Sequence, residues 1–402
     1  MGSSSDPVVG VRRREAGLGR RAFLGGSALW PLAAAGIFDL VQTAGAQRAQ
    51  TRFPGLIIRQ RQPENLEFPF DTLDTFLTPN ERFYVRSHFA TPALDASSWR
   101  LRVEGAVERP YEIGYDELRK MEARTAPATL ECAGNSRVFL TPAARGVQWE
   151  LGAVSNAEWT GVPLAALLER AGVHKEAVDV VLEGADAGEI KDPPKPAGPI
   201  HFARGIPLAK AVRPETLLAY KMNGADLPAA HGFPVRAVVP GWYGVASVKW
   251  LTRIIVTDAP YQGHFQTVEY ATYERRGGLP VRVPITEMQI KAAVARPVTH
   301  EVIASGSPYT IVGAAWSGES PLRRVDVSVD GGANWAQASL QDRSHAYSWR
   351  IWSYLWKSPR QGPAVVMARA TDAAGRAQPM QRDPDRDNYM VSHVLPIEVQ
   401  VR

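Results

Sequence analysis

A single cysteine in 402 residues, Cys132, limits what can hold this chain together. With no second thiol there is no internal disulfide, so the fold rests on packed apolar cores. The thiol itself is then structural filler, a reactive group or a metal ligand. Its setting, Thr129-Leu130-Glu131-Cys132-Ala133-Gly134-Asn135-Ser136-Arg137, favours the last. Gly134 lets the backbone approach a bulky partner, Asn135 can bond its own turn, and Arg137 places a fixed positive charge nearby, which favours the thiolate.

The N-terminal residues say where this thiol works. Arg20-Arg21-Ala22-Phe23-Leu24 precedes a weakly apolar stretch from Gly25 to Ile37, and Ala44-Gly45-Ala46 follows with the small residues of a cleavage site. The order looks like a twin-arginine signal over residues 1–46, so the expected location is the periplasm, reached already folded. No later run reaches the roughly 20 apolar residues of a spanning helix, which predicts no membrane span after cleavage. The leader holds five Arg and three acidic residues, so its removal takes the formal net charge from +5 to about +3. So small an excess, with no Lys/Arg block beyond the leader, argues against a nucleic-acid partner. No repeat with a period of roughly 20 to 50 residues stands out, which argues against a solenoid.

Residues 47–402 are enough for two domains. Over 47–280, Tyr115 to Met121 and Val162 to Ala171 read as helices, the second with Pro163 near its first turn and Gly172 past its end. Trp99 to Val103, Val178 to Leu182, Val235 to Val239 and Ile254 to Val256 read as strands. From about Pro284 onward strands and turns stand alone. Arg324-Val325-Asp326-Val327-Ser328-Val329 alternates before Asp330-Gly331-Gly332, and further strands fall around Trp349 to Trp352, Ala364 to Ala370 and Ile397 to Val401. The expected fold class is α+β, a mixed α/β domain over 47–280 followed by an all-β, immunoglobulin-like sandwich over 284–402. Arg275-Arg276-Gly277-Gly278-Leu279-Pro280 is the expected boundary, since Gly-Gly and Pro interrupt both patterns.

The polar residues of the first domain form a set. Tyr84-Val85-Arg86-Ser87-His88 puts Arg86 and His88 on one face of an extended segment. Asp186 stands near the end of a strand, His231-Gly232-Phe233-Pro234-Val235-Arg236 leads into an apolar one, and Ser247-Val248-Lys249-Trp250 follows a long turn. These runs, with Glu131-Cys132-Ala133-Gly134-Asn135 and Leu218 to Gly224, resemble in order the sulfite oxidase family of molybdenum enzymes. Ala315-Trp316-Ser317-Gly318 and Val327 to Trp335 are similar to that family's C-terminal dimerisation domain.

The resemblance implies a molybdenum-pyranopterin cofactor (Mo-molybdopterin), with Cys132 as the protein thiolate on the metal; soft sulfur ligands suit a redox-active metal. It maps the pterin socket onto Tyr84, Val85, Arg86, Ser87, His88, Asp186, His231, Arg236, Ser247, Val248 and Lys249. Substrate contact falls to Arg86, Arg137, Trp149 and Tyr270, with Tyr220 read as packing. Forked Arg side chains suit a tetrahedral anion. The implied reaction is oxidation of sulfite to sulfate by oxygen-atom transfer. No Cys-x-x-Cys-His haem-attachment motif occurs, so the electrons are expected to leave to a separate acceptor, a periplasmic c-type cytochrome. A homodimer through the C-terminal domain is also implied.

The alternatives are an exported molybdenum reductase of methionine-sulfoxide type and a non-enzymatic binding protein with an inert Cys. One departure from the family stands out. The animal and plant enzymes carry a further substrate Arg in an Asn-x-Arg-Gly context, where this chain has Asp387-Asn388-Tyr389-Met390-Val391, leaving Arg382 and Arg386 as candidates for the role.

Overall fold

A computed structural model describes Phe53, residues 55–341 and residues 344–402 of the chain; the export leader expected over residues 1–46 lies outside them. The first half is built on two five-stranded sheets. In one, the order is Tyr111–Gly114, Arg100–Gly105, Leu251–Thr257, Asp179–Gly188, Ile200–Pro207. Leu251–Thr257 runs parallel to Arg100–Gly105 and antiparallel to Asp179–Gly188, which puts Ile254 opposite Val103 and Leu182. Alternate residues of a strand share a face, so Leu101, Val103, Val180, Leu182, Ile254 and Val256 form one buried apolar layer.

Helix Leu164–Ala171 packs near that layer, burying Leu164, Leu167, Leu168 and Ala171, the three-and-four spacing of one helical face. It stops at Gly172, which takes φ 70° and donates to the carbonyls of Leu168 and Glu169. That left-handed turn costs a glycine little.

The second sheet runs Ala225–Asp226, Leu217–Met222, Val154–Pro163, Arg124–Glu131, with Arg236–Val238 also paired to Leu217–Met222. Strand Arg124–Glu131 starts exposed and ends buried, and it delivers Cys132 to the interior, where Cys132 N–H donates to the carbonyl of Ala153 at 2.8 Å.

The C-terminal half has a four-stranded sheet (Lys291–Arg296, Tyr309–Trp316, Arg350–Trp356, Ser339–Leu340) and a five-stranded one (Val302–Ile303, Ile397–Val401, Gly362–Asp372, Leu322–Ser328, Ala336–Gln337). Ile311, Ala315 and Trp352 of the first pack with Val325, Val366 and Val399 of the second. Lys291–Arg296 is buried on both faces: Ala292 and Val294 enter this core, whereas Ala293 and Ala295 join the core of the first half.

The elements expected from sequence are present with ends displaced by a few residues. The Gly277-Gly278 step, expected to interrupt both patterns, is instead the turn of a hairpin between Ala271–Arg276 and Leu279–Pro284. Both glycines have positive φ (59° and 82°), as two-residue hairpin turns demand. Among the described residues no helix is long and apolar enough to cross a membrane.

Candidate active site

Cys132 faces a cleft that is also lined by Arg86, Asp186, Arg236, Lys249 and Tyr270. The wall holding Arg86 is a short strand, Val85–Arg86, paired to Asn65–Glu67. Asn65 fixes it: its Oδ1 accepts from the backbone of Ser87 at 3.0 Å and from Arg86 Nη1 at 3.3 Å. Lys249 Nζ donates to Ser87 Oγ and to the carbonyl of Ala230, both at 2.9 Å. Arg236 donates to the carbonyls of His231 (3.0 Å) and Ser247 (2.9 Å), so that the two cations together tie three separate runs of sequence into one wall.

The charges in this wall do not balance. Arg236 is a buried cation and Arg86 and Lys249 are half-buried ones, whereas Asp186 is the one buried carboxylate among the described lining residues. Burial, reinforced by Arg236, drives Lys249 down to about 7 despite the attraction of Asp186. Burial likewise lifts Asp186 to about 6 against the pull of Lys249. Asp186 Oδ1 has no hydrogen-bond partner, a costly state for a buried acceptor.

His231 is pushed down to about 3, by burial first and then by Lys249 and Arg236, so it is neutral. It shares a hydrogen bond between Nε2 and the carbonyl of Asn80 at 3.1 Å, which puts the proton on Nε2 and leaves Nδ1 as an acceptor. The cleft therefore asks for a ligand with an anionic group for the cations, N–H donors for Asp186, and a soft centre for the Cys132 sulfur. A molybdenum-bearing pterin with its phosphate meets all three demands.

On the outer side, Tyr270 is held from two directions. His88 Nε2 and Tyr270 Oη share a hydrogen bond at 2.6 Å, and Arg86 Nη2 donates to the same oxygen at 3.2 Å. The His88 ring packs against both Phe202 and Phe265, and burial with Arg86 and Lys249 holds it neutral, well below the usual histidine range. Burial also raises the Tyr270 hydroxyl far above its ordinary value, so it stays protonated. Tyr270 has φ 52°, a strained conformation costing on the order of 1–3 kcal/mol, and its carbonyl accepts from Ile285 N–H at 2.8 Å.

Arg137 stands across from it. Its Nε donates to the carbonyl of Asn388 at 3.0 Å and its Nη1 to that of Val147 at 2.9 Å. The Tyr389 ring covers its guanidinium at 5.1 Å.

Tyr84, Val85, Arg86, Ser87, His88, Asp186, His231, Arg236, Ser247 and Lys249 thus all line the cleft with Cys132, Arg137 lies on the broader basin outside it, and Tyr270 lines both. Val248 is set back in the core, where its carbonyl accepts from Ala237.

Trp149 is a correction to the substrate set. It lines neither space but is fully buried in the core, because its backbone closes a turn onto Val147 and accepts from Val138, which sends the indole inward. Tyr220 is also core, with Arg119 over its ring. Neither Arg382 nor Arg386 lines the site: the Arg382 Nη atoms are buried without partners, and Arg386 pairs with Asp383 at 3.2 Å. Sequence reasoning missed Tyr389 and Asn388 as lining residues. The signal was the same Asp387-Asn388-Tyr389 stretch that marks the departure from the family pattern.

Comparison with known proteins matches this architecture. The family model "Oxidoreductase molybdopterin binding domain" matches residues 88–265, and "Mo-co oxidoreductase dimerisation domain" matches 282–386. The fold and site define a molybdopterin-dependent oxidoreductase with a C-terminal dimerisation domain, and the cofactor is Mo-molybdopterin. The sulfite oxidase of Gallus gallus is 36% identical over 351 residues, 82% of this chain and 74% of that one. The sulfite oxidase of Arabidopsis thaliana is 31% identical, over 82% and 89%. The mitochondrial sulfite oxidase of Mus musculus is 36% identical, and the match spans only 62% of its length. Among solved structures, the sulfane dehydrogenase SoxCD from Paracoccus pantotrophus superposes with a TM-score of 0.73 at 27% identity, covering 85% of each chain. The chain belongs to the sulfite oxidase family.

Proposed function

We propose that this protein oxidises sulfite to sulfate and passes the electrons to a separate acceptor, such as a c-type cytochrome. The observation that carries the reading is that Arg86, Arg137, Cys132 and Tyr270 line one basin, with the Tyr270 hydroxyl held by Arg86. When bound, the molybdenum cofactor supplies the oxygen-atom transfer and the two-electron redox change. The protein's own part is electrostatic and positional. Arg86 and Arg137 offset the charge of a compact dianion, and fixed donors of this kind cost no reorganisation during reaction. Tyr270, kept protonated by burial, offers one hydrogen bond to the anion while Arg86 and His88 hold its oxygen in place.

The same reading takes residues 1–46 as a twin-arginine leader and the periplasm as the site of action. It takes 47–280 as the catalytic domain and 284–402 as an immunoglobulin-like domain through which the chain forms a homodimer. The two facing sheets of the C-terminal half support the last assignment.

Purified protein made with cofactor supply is expected to contain molybdenum and to reduce ferricyanide or cytochrome c with sulfite. Metal-loaded protein that ignores sulfite yet reduces S-oxides would replace this reading with the reductase, and protein without molybdenum would end both.

A further inference from the structure

The outer wall of the anion site comes from the C-terminal half of the chain. Segment 385–390 is stitched to the Cys132 loop, to Arg137 and to the hairpin after Tyr270: Met390 N–H donates to the carbonyl of Ala133, beside Cys132, at 2.7 Å. The carbonyl of Asn388 takes Arg137 Nε. Asp385 receives Arg275 through two hydrogen bonds at 2.7 Å, and its carbonyl accepts from Thr272, both on the hairpin that follows Tyr270. The segment is also strained, since neither Asp387 (φ 50°) nor Met390 (φ 55°) is a glycine. Backbone held at such a cost on both sides of the pair Asn388-Tyr389 points to a need for the exact placement of one of the two side chains.

That side chain belongs to Tyr389. Its ring lies over the Arg137 guanidinium at 5.1 Å and against the Tyr270 ring at 5.1 Å, with 35° between the planes. Arg137 is closed off elsewhere too: a Cβ on Gly134 would come within 2.4 Å of its Nη2, and one on Gly146 within 2.6 Å of its Nη1. With Nε and Nη1 given to carbonyls, Nη2 is left without a protein hydrogen bond among the described residues, so it is the edge available to a ligand.

We infer that Tyr389 is a specificity-determining residue, the wall that limits the anion site to a small tetrahedral oxyanion and turns away sulfur oxyanions carrying an organic substituent. The inference rests on the sulfite reading above. The ring acts by its volume and by holding Arg137 edge-on, and its hydroxyl is dispensable.

The test is inhibition of the molybdenum-loaded enzyme, with sulfite and ferricyanide, by sulfate, methanesulfonate and benzenesulfonate, together with direct binding of the three anions by thermal shift. Wild type and Tyr389→Phe are expected to bind sulfate and exclude benzenesulfonate. Tyr389→Ala is expected to raise KM for sulfite with kcat nearly kept, and to bind benzenesulfonate roughly tenfold or more tighter than wild type does. Tyr389→Leu, which keeps an apolar cover in the same place, serves if the alanine variant does not fold, with a smaller shift in the same direction.

Wild type that already admits benzenesulfonate, or a folded Ala or Leu variant that excludes it as wild type does, overturns the inference. So does a Phe variant that behaves like Ala. A wild-type enzyme that holds molybdenum but neither turns over sulfite nor binds sulfate sinks the sulfite reading itself, which is a separate result.

Discussion

Arg137 carries five N–H donors and commits Nε and Nη1 to protein carbonyls, which fixes the direction of the rest. The fit is only possible because residue 134 has no side chain. In Gly134→Ala the new methyl would meet Nη2 at 2.4 Å and Nη1 at 2.7 Å, and the flexible guanidinium must yield. Little stability should be lost, while KM for sulfite rises by about tenfold or more as one partner of a buried anion is displaced. A variant with unchanged KM would show that Arg137 does not need this exact position.

His231 supplies a pH signature. Its folded value of about 3 lies below the ordinary histidine value, so the unfolded chain binds the extra proton first. Its contribution to stability is complete above about pH 6.5 and is lost on acidification at about 1.4 kcal/mol per pH unit. Asp186, raised to about 6, works in the opposite direction, so the measurement is a comparison of variants. Between pH 7 and pH 5 the melting temperature of His231→Gln should fall less than that of wild type. Equal falls would mean that His231 is protonated in the fold.

At the level of elements, strand Val154–Pro163 is crowded by a neighbour on each side. It pairs with Arg124–Glu131 on one side and Leu217–Met222 on the other, and Gly161 sits opposite Ala219. A Cβ there would lie 2.3 Å from the carbonyl oxygen of Leu218, a backbone atom that cannot swing aside. Gly161→Ala should therefore cost about 1–3 kcal/mol in denaturant unfolding. Unaltered stability would mean that the two strands can separate freely.

Much of this level was legible in the sequence. Helix Leu164–Ala171 announced itself through its apolar spacing and its terminal Gly172, and the alternating strands did so through their period of two. The inward-facing motif residues were legible as well, because each short run keeps its own geometry: Arg86 and His88 share a face of one extended segment. Trp149 was not, because its direction depends on a turn onto Val147 that no local pattern signals. Gly277-Gly278 was read as an interruption because a hairpin tip and a linker share the same composition.

At the level of the whole molecule, the unreadable part was the contact between the halves, which pairs residues far apart in sequence. Glu131, next to Cys132, accepts from Lys291 at 3.2 Å and from Trp316 Nε1 at 2.8 Å, both on C-terminal strands. It also accepts from Asn135 at 3.0 Å, while Lys291 reaches Ser136 Oγ at 2.8 Å. Both charges are fully enclosed, and burial lowers Lys291 against the pull of Glu131. Lys291→Met leaves a lone buried carboxylate and should cost about 3–5 kcal/mol. The double variant Glu131→Gln/Lys291→Met should recover most of that loss, and a double variant as unstable as the single one would show that the pair is not the cause.

The loop around Cys132 is thus moulded by the far end of its own chain: Lys291, Trp316, Asn388 and Met390 all grip it. A shortened chain ending near residue 280 would keep the thiol and most of the pterin socket but lose the clamp on that loop and a side of the substrate pocket. The portion named for subunit association is, in this molecule, also a piece of the reaction chamber, so damage to it should register as lost chemistry even where pairing of subunits survives.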